Sequence, residues 1–239
     1  MEPLGGGGGQ VEPSATEKQS FTRLTIRSGI SPLGTGGEVA TNVNPHLDLR
    51  VIGHYTNFTY NFEQSGFNIG LNIGFDNTGA YVDYYPFHKA FRISPGYLFY
   101  NTDRVRADLL AGPGATFTIN NITWFSDNAD PVNGTGRLLL MGSGFLLTGG
   151  YGHIVSRTHK HFSFPFEAGA AFINTPTAQF YLNGKICTPQ GTHCEEANNY
   201  PGFASNLAIQ IADWNRRLAP FHIYPLIEGG VAYTFRIRK

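Results

Sequence analysis

The sequence predicts an all-β protein, a closed antiparallel transmembrane β-barrel of about ten strands (roughly eight to twelve) with one helix before the last strand. Three observations predict it. Several segments alternate apolar and polar residues without a miss, the period of a pleated strand. Their polar faces are built from Asn, Gly, Ser, Thr and Ala, short side chains suited to a narrow lumen. The Lys and Glu that would solvate an exterior are scarce there. Finally, only 14% of the 239 residues are charged, 14% are aromatic and 30 are glycine, where a soluble domain carries about 25% charged and about 7% glycine. Seventeen basic residues balance 17 acidic ones, which excludes a strongly basic nucleic-acid binder.

Taken in chain order, residues 1–20 hold the run Gly5–Gly9 with Pro3 and Pro13. This stretch has no core-forming residues and reads as a disordered leader. It contains no strand followed by Gly-Lys-Ser/Thr, and no apolar stretch of secretory-signal type is visible in it. Residues 21–239 form the barrel domain, with a loop and helix insertion at 175–221. Strands are expected at 21–29 and 35–43. Next, Leu47, Leu49, Val51 and Tyr55 oppose Asp48, Arg50 and His54. In Phe67–Asp76 the odd positions are Phe, Ile, Leu, Ile and Phe, and the even positions are Asn, Gly, Asn, Gly and Asp. Whether 67–75 and 78–86 make one strand or two is left open by the sequence. Further strands are expected at 90–101, 104–112, 115–124, 137–153 and 161–173. In the last strand Ile227, Val231, Tyr233, Phe235 and Ile237 share one face. Turn chemistry at Asn44-Pro45, Asp76–Gly79, Pro86–Lys89 and Gly112–Gly114 separates many of these strands.

Two segments need a separate argument. Leu138–Ser156 lacks Asp, Glu, Lys and Arg and is long enough for a membrane helix; its five glycines and His153 favour a strand instead. In 201–218, Phe203, Leu207, Ile211, Trp214 and Leu218 recur at helical spacing, with Pro201 in the first turn and Asn198 or Asn199 as cap. That helix either packs on the barrel rim or lies in the interface, with Trp214 among headgroups and Arg216 and Arg217 toward phosphates.

Sidedness follows from cost. A cationic side chain at the bilayer midplane costs about 2–4 kcal/mol, and the apolar faces of the three cleanest strands (67–76, 161–173 and the last) carry no charge. Lipid is therefore expected outside, and compact polar residues inside. Glu38, Asp83, Glu167 and Glu228 are expected to point inward and pair with Arg50, Arg92 or Arg236.

Candidate site residues are few. Cys187 and Cys194 are the only cysteines, and a small disulfide between them implies an oxidising compartment. Two free thiols are the plain alternative, and a zinc site with His193 lacks a fourth ligand. His153, Arg157, His159, Lys160 and His161 form the most cationic patch, either a polar turn or a contact for lipid phosphate or lipopolysaccharide. Ser94, Ser143 and Ser163 have no sequence link to a histidine and a carboxylate. No cofactor, metal or nucleic acid is expected, and no enzymatic activity.

Several short motifs carry a resemblance: Gly36-Gly37-Glu38, Tyr84-Tyr85-Pro86-Phe87 followed by Phe91-Arg92, Glu167-Ala168-Gly169, Tyr224-Pro225, and Tyr233-Thr234-Phe235. From about Phe21 to Phe235 the chain resembles small outer-membrane β-barrel proteins of Gram-negative bacteria, broadly the OmpA/OmpW-like barrels. The resemblance implies residence in the bacterial outer membrane, contact with membrane lipid and lipopolysaccharide, and recognition of the aromatic-ended last strand by the outer-membrane assembly machinery. The chain departs from that pattern by continuing from Arg236 to Lys239. A barrel of about eight strands is just filled by its own side chains, whereas open pores need about sixteen. A structural or interaction role with a filled lumen is therefore expected. A narrow channel or small-solute transporter, a lipid-modifying enzyme and a soluble ligand-binding barrel are the alternatives.

Overall fold

The computed structural model describes residues 20–237, except 65–66, 88–89, 103, 141, 158–160 and 189–192. All but the last residue of the expected leader at 1–20 therefore lies outside the described residues. The chain begins with β1 (Arg23–Ser31), β2 (Gly34–Asn44), β3 (Leu47–Gln64), β4 (Phe67–Tyr84) and β5 (Phe91–Asn101). Then come β6 (Arg104–Ala111), β7 (Thr116–Ile119), β8 (Ile122–Ser126), β9 (Asn133–Leu139) and β10 (Gly144–Tyr151). They are followed by β11 (Phe162–Ser163), β12 (Phe166–Phe172), β13 (Thr177–Asn183), β14 (Lys185–Cys187) and β15 (Cys194–Glu196). The helix α1 (Phe203–Leu218) and the last strand β16 (Ile223–Arg236) complete the fold.

Eight of these strands close a ring. β1 pairs β2, β2 pairs β3, β3 pairs β4 and β4 pairs β5, all antiparallel. β5 then pairs β10, β10 pairs β12, β12 pairs β16, and β16 returns to β1 with Arg27 opposite Ala232. The barrel thus has eight strands, not about ten. Closure leaves no free edge in the ring. The helix stands before the last strand, as expected.

The difference in count has a physical origin. β3 and β4 are 18 residues each and stay in unbroken register. At about 3.3 Å per residue that is close to 60 Å, and a tilted membrane strand needs only about 9–11 residues. The surplus leaves the barrel. Beyond Gly74, β4 pairs with β6 instead of β5, β6 pairs with β9, and β9 pairs with β13. A wing in the order β3-β4-β6-β9-β13 therefore rises from one half of the wall. The segments 104–112 and 137–153, expected as barrel strands, turn out to be wing strand β6 and the split pair β9 and β10. Segment 115–124 is no single strand either: Asn120 and Asn121, with φ of 50° and 61°, fold it into the β7–β8 hairpin. That hairpin joins β14 and β15 in a separate sheet of order β15-β14-β8-β7. The alternatives 67–75 and 78–86 resolve as one strand, β4. Segment 161–173 is interrupted at Pro165 into β11 and β12.

Sidedness in the ring is as expected. Outward-facing Tyr55, Val82, Phe145, Leu147, Ile227 and Val231 are exposed, while Asp48, Arg50, Asp83, Glu167 and Glu228 are buried inside. In the wing it inverts. Tyr81, Asp83 and Asn77 of β4 face the lumen, and the same side of the same strand then presents Phe75, Ile73, Leu71, Ile69 and Phe67. The Phe67–Phe75 face, expected against lipid, therefore faces the inner side of the wing, and Phe67 packs edge-on against Phe117 at 5.4 Å. The outer side of the wing carries Asn57, Thr59, Asn72, Arg104, Arg106 and Asp108 instead. Polarity alternation reports only that two faces differ, so it reads identically on either side of the flip.

Candidate functional site

Three layers of side chains fill the ring, which is the volume an eight-stranded barrel offers. The end that holds both termini is closed by the chain between β10 and β12. Ile154 and Val155 are completely buried there. The Ile154 amide donates to the Tyr85 hydroxyl at 3.1 Å, and the Ser156 amide donates to Thr234 Oγ1 at 3.1 Å. Arg157 reaches Asp48 at 2.7 Å and the Asn44 carbonyl at 2.9 Å, over the Tyr85 ring. Arg23 donates to the Ser156 carbonyl from outside the plug.

The middle layer takes one polar side chain from each of the eight strands: Arg27, Glu38, Arg50, Asp83, Arg92, Thr148, Glu167 and Glu228. Arg27 meets Glu38 at 2.6 Å, Glu228 at 2.9 Å and Glu167 at 3.2 Å. Arg50 meets Glu167 at 2.6 Å, Glu38 at 3.0 Å and Asp83 at 3.1 Å. Arg92 meets Glu167 at 3.3 Å and donates to the Gly152 carbonyl at 2.7 Å, tying this layer to the plug. Ser94 donates to Asp83 at 2.5 Å and Thr148 to Glu167 at 2.9 Å. Space for the Arg92 guanidinium comes from Gly150, where a Cβ would stand 2.6 Å from Cζ. Charged groups so deep are tolerated only when paired and hydrogen-bonded.

The third layer is apolar: Leu33, Ile52, Tyr81, Leu98, Leu146, Ala171 and Leu226. Tyr81 lies across Gly96, where a Cβ would come within 2.5 Å of its ring, and the Arg50 guanidinium stacks on its face at 4.2 Å. Above it, His54 and Asn77 share a hydrogen bond at 3.0 Å, and Asn77 donates to the Leu33 carbonyl.

Beyond this end stands the wing. Its inner face packs on the small sheet and α1 around Phe117, Ile119, Trp124, Val132, Leu182, Ile186 and Phe203. The helix also covers the free edge of β13: the Asn215 amide accepts from the Ala178 N–H at 2.7 Å and donates to its carbonyl at 3.3 Å. Between the C-terminal half of α1 and β6, β9 and β13 lies an apolar cavity of about 380 Å³. Trp214 tilts against Phe180 on its wall, with centroids 4.6 Å apart.

The sequence-derived candidates fall as follows. Cys187 and Cys194 form a disulfide that joins β14 to β15. Of the cationic patch, Arg157 turns inward to Asp48, His153 tilts against Tyr85 at 4.8 Å, and His161 stacks on Tyr233 at 5.4 Å. His159 and Lys160 lie outside the described residues. Trp214 faces the wing, and Arg216 and Arg217 both reach Asp213, at 3.5 and 2.8 Å. The expected Asn198 or Asn199 cap is absent from α1, whose N-cap is Gly202 with φ of 79°. The four inward carboxylates are placed as expected, with one correction: Arg27, and not the exposed Arg236, completes their pairing. The signal for Arg27 was available, since it alternates with Thr25 on the inward face of the first strand.

No protein-family model matches the chain, and no curated protein does. Among solved structures it is similar to CarO of Acinetobacter baumannii, with 16% identity and a TM-score of 0.56 over 88% of this chain and 97% of that one. CarO2 of the same organism gives 15% identity and 0.58 over 90% and 99%. A major outer membrane protein from Thermus thermophilus aligns over 89% of this chain and 99% of its own at 11% identity, with a TM-score of only 0.31. The two CarO structures share this chain's fold. The expected likeness to small outer-membrane barrels is thus met in architecture.

Proposed function

We propose that this chain is a bacterial outer-membrane β-barrel protein with a structural or interaction role, whose closed lumen anchors the wing at the membrane surface. The observation that carries the reading is the flip of polarity along β3 and β4. The wall is apolar outside and charged inside, and the wing is polar outside and apolar inside. A chain that passes from hydrocarbon into water needs both halves of that pattern. The two longest connections between ring strands, from β5 to β10 and from β12 to β16, both leave from the wing end, and long connections face outward in barrels of this kind, which supports a wing on the outer side of the membrane. Lipid, and lipopolysaccharide in the outer leaflet, would contact outward-facing ring aromatics such as Tyr97, Phe145 and Phe166. The assembly machinery would read the last strand at Tyr233 and Phe235.

A narrow solute channel is the second reading, favoured by the ring of polar side chains that takes one residue from every strand, seven of the eight being charged. Conduction would require the plug, the ion pairs and the apolar layer to part together. Recording from the purified protein in planar bilayers separates the two. A filled lumen gives no steady current, and regular ohmic steps would overturn it. A lipid-modifying enzyme is disfavoured by Ser94, whose hydroxyl sits inside the lumen on Asp83.

A further inference from the structure

We infer that the cavity beneath α1 is a binding site for a free single-chain amphiphile with an anionic head, such as a medium-chain alkyl carboxylate. Its volume of about 380 Å³ lies within the range of ligand pockets, about 300–1,000 Å³. The floor is kept low by Ala107, Gly136 and Ala178, and the walls are Leu138, Phe180, Trp214, Leu218 and Phe221. The cavity opens to solvent along one side, and its walls offer almost no polar partners, so it is suited to an alkyl chain that displaces loosely held water.

Two arginines line this cavity, Arg137 of β9 and the exposed Arg217 of α1, and Arg217 is the one at its solvent side. Its Nε donates to Asp213 at 2.8 Å, which leaves the two Nη groups to receive a carboxylate, the planar acceptor a guanidinium fits best. Asp213 holds the guanidinium in place through that bond. The source of the chain follows from position. The cavity lies on the inner face of the wing, whose outer face bears Arg104, Arg106 and Asp108 and stands in water. A ligand entering there arrives from solution, and a bilayer lipid would have to leave hydrocarbon to reach it. This site is independent of whether the lumen conducts.

Trp214 provides the readout, because bromine quenches indole fluorescence only at contact. The full-length protein is placed in nanodiscs of unbrominated lipid and titrated with a terminally brominated undecanoate. The buried Trp124 serves as a constant background. Saturable loss of roughly half the emission is expected, since one of the two tryptophans is at the site. Ala107→Phe should abolish the quenching by filling the floor, with heat-modifiable gel mobility reporting that the barrel still folds. Arg217→Gln should weaken the carboxylate about tenfold while leaving the brominated alcohol of equal length unaffected, as expected for loss of one charge-assisted hydrogen bond. Absence of saturable quenching would overturn the site. So would equal quenching in the Ala107→Phe protein, or quenching seen only when the nanodisc lipids themselves carry the bromine.

Discussion

Glu167 touches all three lumen arginines, with Arg50 at 2.6 Å, Arg27 at 3.2 Å and Arg92 at 3.3 Å. Replacing it with Gln removes the one carboxylate that all three guanidinium groups share, where water cannot reach them. Breaking such a buried pair costs about 3–5 kcal/mol. The exposed Arg106–Asp108 pair, at 2.9 Å, is worth no more than about 1 kcal/mol. Urea titration of the heat-modifiable form in detergent should therefore show a large loss for Glu167→Gln and almost none for Asp108→Asn. A second residue-level effect sits in the plug. Burial first, and then Arg157 and Arg92, hold the His153 imidazole below its ordinary value. The unfolded chain then takes up a proton more readily than the folded one. The stability tied to a neutral His153 is complete above about pH 6.5 and is lost as pH falls below it. His153→Gln should flatten the stability profile between pH 7 and 5, read by the same titration at each pH. Sequence reasoning placed this histidine in a cationic turn at the membrane surface. It could not show that the turn folds back into the barrel, because nothing local marks Ile154 and Val155 as lumen residues.

At the scale of elements, alternation was enough to identify β16, β12 and the lower half of β3 and to state which face of each is apolar and turned outward. In those strands one face is hydrocarbon-compatible, the other carries the inward ions, and the two differ sharply. The same pattern in Phe67–Phe75 is equally clean and points the other way. What distinguishes the two is length, since β4 has nearly twice the residues a crossing needs, and its true length depends on whether 67–75 and 78–86 are continuous. The turn-like Asn77-Thr78-Gly79 obscured this, and in the fold those residues stay in register with β3 while the pairing with β5 shifts between Thr78 and Gly79. A paired substitution tests the inversion. Val231→Arg, on the exposed outer side of β16, should destabilise the reconstituted barrel by about 2–4 kcal/mol if that face meets lipid. Asn68→Arg, exposed on the outer side of the wing opposite Glu63, should change stability by less than about 0.5 kcal/mol. Equal costs at the two positions would place both faces in the same solvent.

For the whole molecule, the class, the single helix before the last strand and the filled interior were legible in the sequence, and the strand count was not. β6, β9 and β13 each continue the line of a ring strand, with the ladder interrupted between Asn101 and Arg104, between Leu139 and Gly144, and between Phe172 and Thr177. A count of alternating segments treats the two sides of each break as separate staves. The second sheet escaped for another reason. Its strands have three to five residues, too few for a period to register, and its core is made with wing residues distant in sequence. The disulfide was legible because two cysteines in one short segment have no other partner to take.

The seam of the ring joins the first strand of the chain to the last, β1 to β16. Arg27, Arg50 and Arg92 are almost wholly enclosed, and the plug at Ile154 and Val155 is bonded to Thr234 on one side of that seam through Ser156. Arg27 of β1 and Glu228 of β16 meet across that seam at 2.9 Å, so the charged layer is complete only when the first and last strands are paired, and closing the wall and filling it are one event.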